Sequence, residues 1–218
     1  MAQGKVTPVK GSKLFVQTGV SETPETIDSV TATNPGTIDI TATTLVKGDI
    51  VTISGVGEGF DGEYAVSDVA TGTVTLAGAD WSDLEVPGSI TGAEAAKHEF
   101  SANWCEVNSF NRAGGTINQT DVSTFCSARR EYDPGLADSG TIQFNFNYAP
   151  ATTVQDKFKE YENSAGKFWI KHVLPRNQGT MLYYGGIQTG VGAEGSTGGV
   201  YTSSVTIQLS GDYYRIAA

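Results

Sequence analysis

Residues 141–148, Thr-Ile-Gln-Phe-Asn-Phe-Asn-Tyr, alternate without a break: Ile142, Phe144, Phe146 and Tyr148 fall on one side, and Gln143, Asn145 and Asn147 on the other. A period of two marks a strand with one packed face and one wet face. The wet face here carries amides and no charge. The pattern returns within 200–209, where Val205, Ile207 and Leu209 alternate with Ser204, Thr206 and Gln208. Again the polar side is uncharged.

Further strands are predicted at 13–17, 37–43, 49–54, 62–69, 73–76, 99–108, 167–174 and 180–188, separated by Gly and Asp punctuation. Within 99–108 the alternation through Phe100, Ala102 and Trp104 slips at Cys105-Glu106-Val107, which predicts a bulge. One helix is predicted over 152–165. Thr152 and Gln155 have capping-box spacing, Val154, Phe158 and Tyr161 form one apolar stripe, and Gly166 is placed to close the C-terminus. Residues 111–139 lack periodicity and are expected to form a long loop of the kind held by a partner or used in function. Arg129-Arg130-Glu131-Tyr132 lies at its centre, and Asp133-Pro134-Gly135-Leu136 reads as a turn. Residues 1–10 read as a polar arm with too few apolar side chains to fold alone.

Composition supports the same fold class. The chain has 218 residues, with 27 Gly, nine Tyr and nine Phe, and is rich in Thr, Ser and Val, as expected of a mostly β protein with few helices. Charge then divides it. Residues 22–97 hold thirteen acids against Lys47 and Lys97, a net −11; the remainder holds twelve basic against eleven acidic residues, a net +1. The expected organisation is a small inserted all-β domain at 22–97, closed at its base by Trp81 and Leu84, within a core domain of 1–21 and 98–218. The acidic part stays solvated, while the near-neutral part is able to pack against copies of itself. Basic residues are scattered, which argues against a nucleic-acid grip.

Candidate chemistry adds little. Cys105 and Cys126 have no CxxC spacing, and the two histidines, His98 and His172, form no cluster with them, so neither a metal site nor a cofactor is expected. The N-terminus has no apolar secretion signal and no segment is long enough to span a bilayer, so synthesis in a cytoplasm with reduced thiols is expected. Gly190-Val191-Gly192-Ala193-Glu194-Gly195 fits G-x-G-x-x-G, but a strand follows where a phosphate site needs a helix, so it reads as a flexible loop between strands. Both histidines read as structural, and no nucleophile–base pairing stands out. The chain is therefore read as a non-enzyme. A carboxylate pair in the acidic segment is the remaining enzymatic reading, as a glycosidase.

The order of elements is the recognisable feature. A strand is followed by a long loop ending in Tyr132-Asp133-Pro134-Gly135-Leu136-Ala137-Asp138-Ser139-Gly140, an alternating strand, one capped helix and three strands with a Gly-rich hairpin. This resembles the major tail tube proteins of bacteriophages with long non-contractile tails, as does Pro8-Val9-Lys10-Gly11-Ser12 before a short strand. The likeness covers residues 1 to about 20 and 98–218; the segment 22–97 departs from the minimal pattern.

The resemblance implies a tail-tube β-sandwich or barrel with one helix. It also implies homo-hexameric rings stacked into a tube in the virion tail, assembled in the host cytoplasm and conducting double-stranded DNA without binding it specifically. Its partners would be a tape-measure protein, a tail terminator and baseplate or tip proteins, with no membrane. On that reading Gln143, Asn145, Asn147, Ser204, Thr206 and Gln208 are candidate channel-facing residues. Arg129, Arg130, Glu131 and Tyr132, with the arm at 1–10, are candidate contacts between rings. The alternative reading is a carbohydrate-binding or adhesin-like β-sandwich in which Trp81 and Tyr64 stack on sugars.

Overall fold

The computed structural model describes residues 9–218. Residues 1–8 of the arm read as a stacking contact lie outside the described residues. Among the described residues the chain is mostly β with one helix, and the strand pairings given below are antiparallel. It divides into two compact units, one comprising Met1–Cys105, Trp169–Tyr183 and Tyr213–Ala218, the other Glu106–Phe168 and Tyr184–Asp212.

In the first unit, β1 (Lys13–Val20) pairs with β8 (Glu94–Phe100) on one side and with β13 (Lys167–Val173) on the other. Beyond β8 the order is β5 (Ile50–Ser54), β6 (Gly62–Ala70), β7 (Thr73–Ala77), β4 (Thr37–Asp39) and β3 (Ser29–Thr31); the short β2 (Glu25–Thr26) also pairs with β8. One hydrophobic cluster is built wholly from residues between Ile27 and Ala95, including Ile38, Ile53, Phe60, Leu76 and Trp81. The alternation in these short strands turns one side of each inward, so the acidic segment encloses a core of its own. Trp81 lies within it, 1 % exposed and packed edge-on against Phe60 and Tyr64 at 5.1 and 5.5 Å between ring centroids, with Leu84 packed against the cluster.

The segment is also tied to the strands around it. Asp49, paired within the segment to Lys97 at 2.6 Å, also meets Lys171 outside it at 3.4 Å, Glu63 accepts from Trp169 Nε1 at 2.7 Å, and Lys47 Nζ donates to the Ala218 carbonyl at 3.3 Å. Trp169 stacks on Tyr214 of β16 (Tyr214–Ile216), which pairs with the first residues of β14 (Thr180–Thr189).

In the second unit, the later residues of β14 pair with β15 (Thr202–Leu209), β15 with β12 (Thr141–Asn147), and β12 with β9 (Val107–Arg112). The helix α1 runs Thr153–Ser164 and buries Val154 and Phe158, with Phe158 and Tyr161 both against Phe168. Its ends differ from expectation. The Thr152 side chain makes no capping bond within the helix and donates instead to the Ala149 carbonyl, while Gln155 accepts from the Ala149 N–H. At the C-terminus it is Ala165, not Gly166, that takes the left-handed conformation, at φ 51°.

Two stretches depart from the sequence reading more widely. The single strand expected at 99–108 is two strands, β8 and β9. The chain turns between them, held by Ser101 N–H to the Val16 carbonyl and Trp104 N–H to the Leu14 carbonyl. The loop expected at 111–139 contains a two-stranded ribbon, β10 (Ile117–Asp121) with β11 (Tyr132–Ala137), and the expected turn at Asp133–Leu136 is part of β11. Pro134 is accommodated opposite Gln119 because a two-stranded ribbon consists only of edges, where a missing N–H costs no interior ladder bond.

Candidate functional site: an uncharged sheet face and an exposed ribbon

The six candidate residues on 141–148 and 200–209 lie on one face because β12 and β15 are ladder neighbours in matching register. Gln143 faces Thr206, Asn145 faces Ser204, and Gln208 faces Thr141. Opposed residues in an antiparallel pair project to the same side. Gln143, Asn145 and Asn147 are exposed and Ser204, Thr206 and Gln208 half-buried, whereas Ile142, Phe144, Phe146, Val205, Ile207 and Leu209 are buried on the opposite side.

The face is wider than the sequence reading. β9 adds Ser109 opposite Asn145 and Asn111 opposite Gln143, while Phe110 lies opposite Phe144 with ring centroids 6.2 Å apart. Asn145 Nδ2 donates to Ser109 Oγ at 3.1 Å, and Asn108 Nδ2 to Asn147 Oδ1 at 3.0 Å across the irregularity at Asn145/Phe146. Alternation through Ser109, Phe110 and Asn111 was present in the sequence; reading 99–108 as one strand hid it. The result is three adjacent strands of amides and hydroxyls, without Lys, Arg, Asp or Glu at any of the named positions. Such a surface can hydrogen-bond water or a passing polar body, yet offers phosphate no ion pair.

Gln208 differs from its neighbours. Its Nε2 donates to Asp138 Oδ1 at 2.8 Å and to the Gly140 carbonyl at 3.2 Å. These acceptors lie at the foot of the β10–β11 ribbon, whose residues are all exposed. Ile117, Phe125 and Leu136 present apolar surface there. The four residues expected to contact neighbouring rings are in or beside this ribbon and are exposed. Tyr132 opposes Asp121 in the ladder, and Glu131 accepts from Ser127 Oγ and gives its N–H to Ser123 Oγ. Among the described residues, no ion pair involves Arg129 or Arg130.

The remaining motifs are occupied structurally. The glycine-rich stretch joins β14 to β15; Glu194 and Thr202 exchange backbone bonds across it, and Ser203 Oγ holds the Gly192 carbonyl, so it is less free than expected. Three carboxylates of the acidic segment hold its own chain together. Glu25 accepts from Thr43 and Thr44, Asp39 from Ser29 and Thr73, and Asp61 from the N–H groups of Gly55, Val56 and Gly57. Trp81, proposed to stack on sugar, is buried, and its Nε1 donates to Tyr64 Oη. Tyr64, the other aromatic named for sugar stacking, is half-buried. Cys105 and Cys126 are free and exposed. No helix is long and apolar enough to cross a membrane among the described residues, and none of these residues forms a metal-ligating cluster.

In comparison with known proteins, residues 60–218 match the family model described as phage tail tube protein, TTP. No curated protein matches the chain.

Proposed function

From the premise that the chain belongs to the phage tail tube protein family, and is thus a structural component of the virion tail that assembles with other tail proteins, we propose that it forms hexameric rings that stack into the tube of a long non-contractile tail, through which DNA passes into the host. The observation that carries this reading is the three-strand uncharged face of β9, β12 and β15. In a conduit for a polyanion, each Lys or Arg touching phosphate adds affinity through counterion release and so adds friction. Amides and hydroxyls avoid that while keeping the wall wet. Gln143, Asn145, Asn147, Ser204 and Thr206, with Ser109 and Asn111, are the proposed channel wall.

The exposed ribbon supports the stacking part of the proposal. An isolated two-stranded ribbon is marginal in water, and one that carries exposed Phe125 and Leu136 gains order against another copy. Arg129, Arg130, Glu131 and Tyr132 then meet the neighbouring ring. During assembly the channel would hold a tape-measure protein, with terminator and baseplate or tip proteins at the tube ends. The acidic segment 22–97 is proposed as an accessory module on the outside of the tube.

Negative-stain microscopy of the purified protein tests the reading. Rings or hollow tubes are expected as concentration rises; a dispersed monomer at high concentration overturns it. The carbohydrate-binding alternative predicts that monomer together with glycan capture.

A further inference from the structure

We infer that Gln208 and Asp138 form the joint that aims the β10–β11 ribbon, and that stacking of one copy on another depends on that aim. The inference rests on the tail-tube reading for its consequence, but its geometry stands on the second unit alone. The β9–β12 ladder ends at Arg112 opposite Ile142, with one more backbone bond from Ala113 N–H to the Thr141 carbonyl at 2.9 Å. Ribbon pairing starts again at Asp138 N–H to the Thr116 carbonyl, 2.7 Å, and Ile117 opposite Ala137. Between the two ladders lie Gly114 and Gly115 on one strand, and Ser139 and Gly140 on the other.

Glycine is required where the two strands approach most closely. A Cβ on Gly115 would overlap the Asp138 carbonyl, and one on Gly140, at φ +82°, would meet the Ala113 carbonyl at 2.5 Å. Glycine-rich backbone without ladder bonds is where a ribbon pivots as a body. Side-chain packing does not restrain it, because every residue of β10 and β11 is exposed.

Side-chain hydrogen bonds span the gap. Asp138 Oδ1 accepts from the Gly140 N–H at 2.8 Å and from Gln208 Nε2 at 2.8 Å, and the same Nε2 reaches the Gly140 carbonyl at 3.2 Å. Bonds to an ionised carboxylate are the stronger kind. Gln208 is itself fixed in β15 opposite Thr141, so it ties the ribbon's foot to the rigid sheet. This makes Gln208 a positioning residue at the margin of the polar face, rather than a free amide of the channel wall.

The test measures aim and assembly separately. Spin labels are placed on native Cys126 in the connection that joins β10 to β11 and on a Glu160→Cys site in α1, in a Cys105→Ser background, and the interlabel distance distribution is recorded for the monomeric protein. Gln208→Glu sets a second carboxylate against Asp138 and against the Gly140 carbonyl. Gln208→Met removes the bonds without adding charge. The expected result is a narrow distribution for the parent and a broad one for Gln208→Glu and Gln208→Met. The critical concentration for tube formation should rise about tenfold in the two variants. A distribution that stays narrow in both variants overturns the joint. A parent protein with a narrow distribution that never forms tubes leaves the joint standing and overturns the tail-tube reading instead.

Discussion

His98 sits at a handover between ladders: Lys97 opposes Val51 of β5, and the next residue opposes Val20 of β1. It is 1 % exposed; its Nε2 lies 2.8 Å from Thr52 Oγ1 and its Nδ1 has no partner. Burial lowers its pKa below the usual histidine value, against the opposing pull of the Glu63 carboxylate, and burial likewise lowers that of His172. The fold therefore keeps both rings neutral, while the unfolded chain takes up protons near the ordinary value of about 6.5. Stability from these groups is complete above that pH and declines as pH falls from there towards the lowered folded values. The thermal midpoint should drop between about pH 7 and about pH 5, and His98→Gln should flatten that dependence; a midpoint constant across this range contradicts the assignment. At lower pH a second loss begins. Hydrogen bonds from Ser29 and Thr73 lower the pKa of Asp39; at Glu25 the largest influence, burial, raises it but is outweighed by bonds from Thr43 and Thr44. These carboxylates stabilise the fold above the ordinary acid range and stop doing so as they protonate.

At the scale of elements, the pairing of β12 with β15 turns two separate sequence patterns into one surface, and the proposed channel wall follows from that register. Asn145→Lys with Asn147→Lys places ammonium groups on exposed positions and leaves Phe144 and Phe146 in the core, so tubes should still form. DNA ejection from assembled tails should slow, because each added cation gains phosphate contacts; an unchanged rate removes the channel assignment. The strict alternation of 141–148 and 200–209 was legible because the period of two extends over the whole strand in each case. The β10–β11 ribbon was not legible. Its exposed residues carry no in-out alternation, and Pro134-Gly135 resembles a turn in every local respect; pairing with Gln119 and Thr120 is a long-range fact. The same limit applies to α1, where Gly166 offered the obvious stop and Ala165 took the left-handed position. For the site, face and ribbon could be named from residues, but the bond from Gln208 to Asp138 joins positions 70 apart in sequence.

For the whole molecule, the division of charge finds its counterpart in a hydrophobic cluster confined to residues 27–95. The family match nevertheless begins at residue 60, inside the acidic segment, so similarity to the family does not follow the compositional boundary. Two observations bear on whether 22–97 is an insertion in the physical sense. Its ends are neighbours: Val20 opposes His98 and the Ser21 N–H reaches the Lys97 carbonyl at 2.8 Å, so a two-residue hairpin turn can close the gap with little chain entropy. Its attachment includes polar contacts, Asp49 with Lys171 and Glu63 with Trp169, and the Tyr214 ring against Gly78, and Trp169, only 4 % exposed, loses part of its cover when the segment is removed. A chain in which Ser21–Lys97 is replaced by Asn-Gly should fold and form tubes of smaller outer diameter, with a lower thermal midpoint that Trp169→Gln partly restores by removing the uncovered indole. Loss of folding in both deletion variants shows that the segment is part of the core domain. Tubes of unchanged diameter place it inside the wall, where an acidic surface confronts the DNA rather than the solvent.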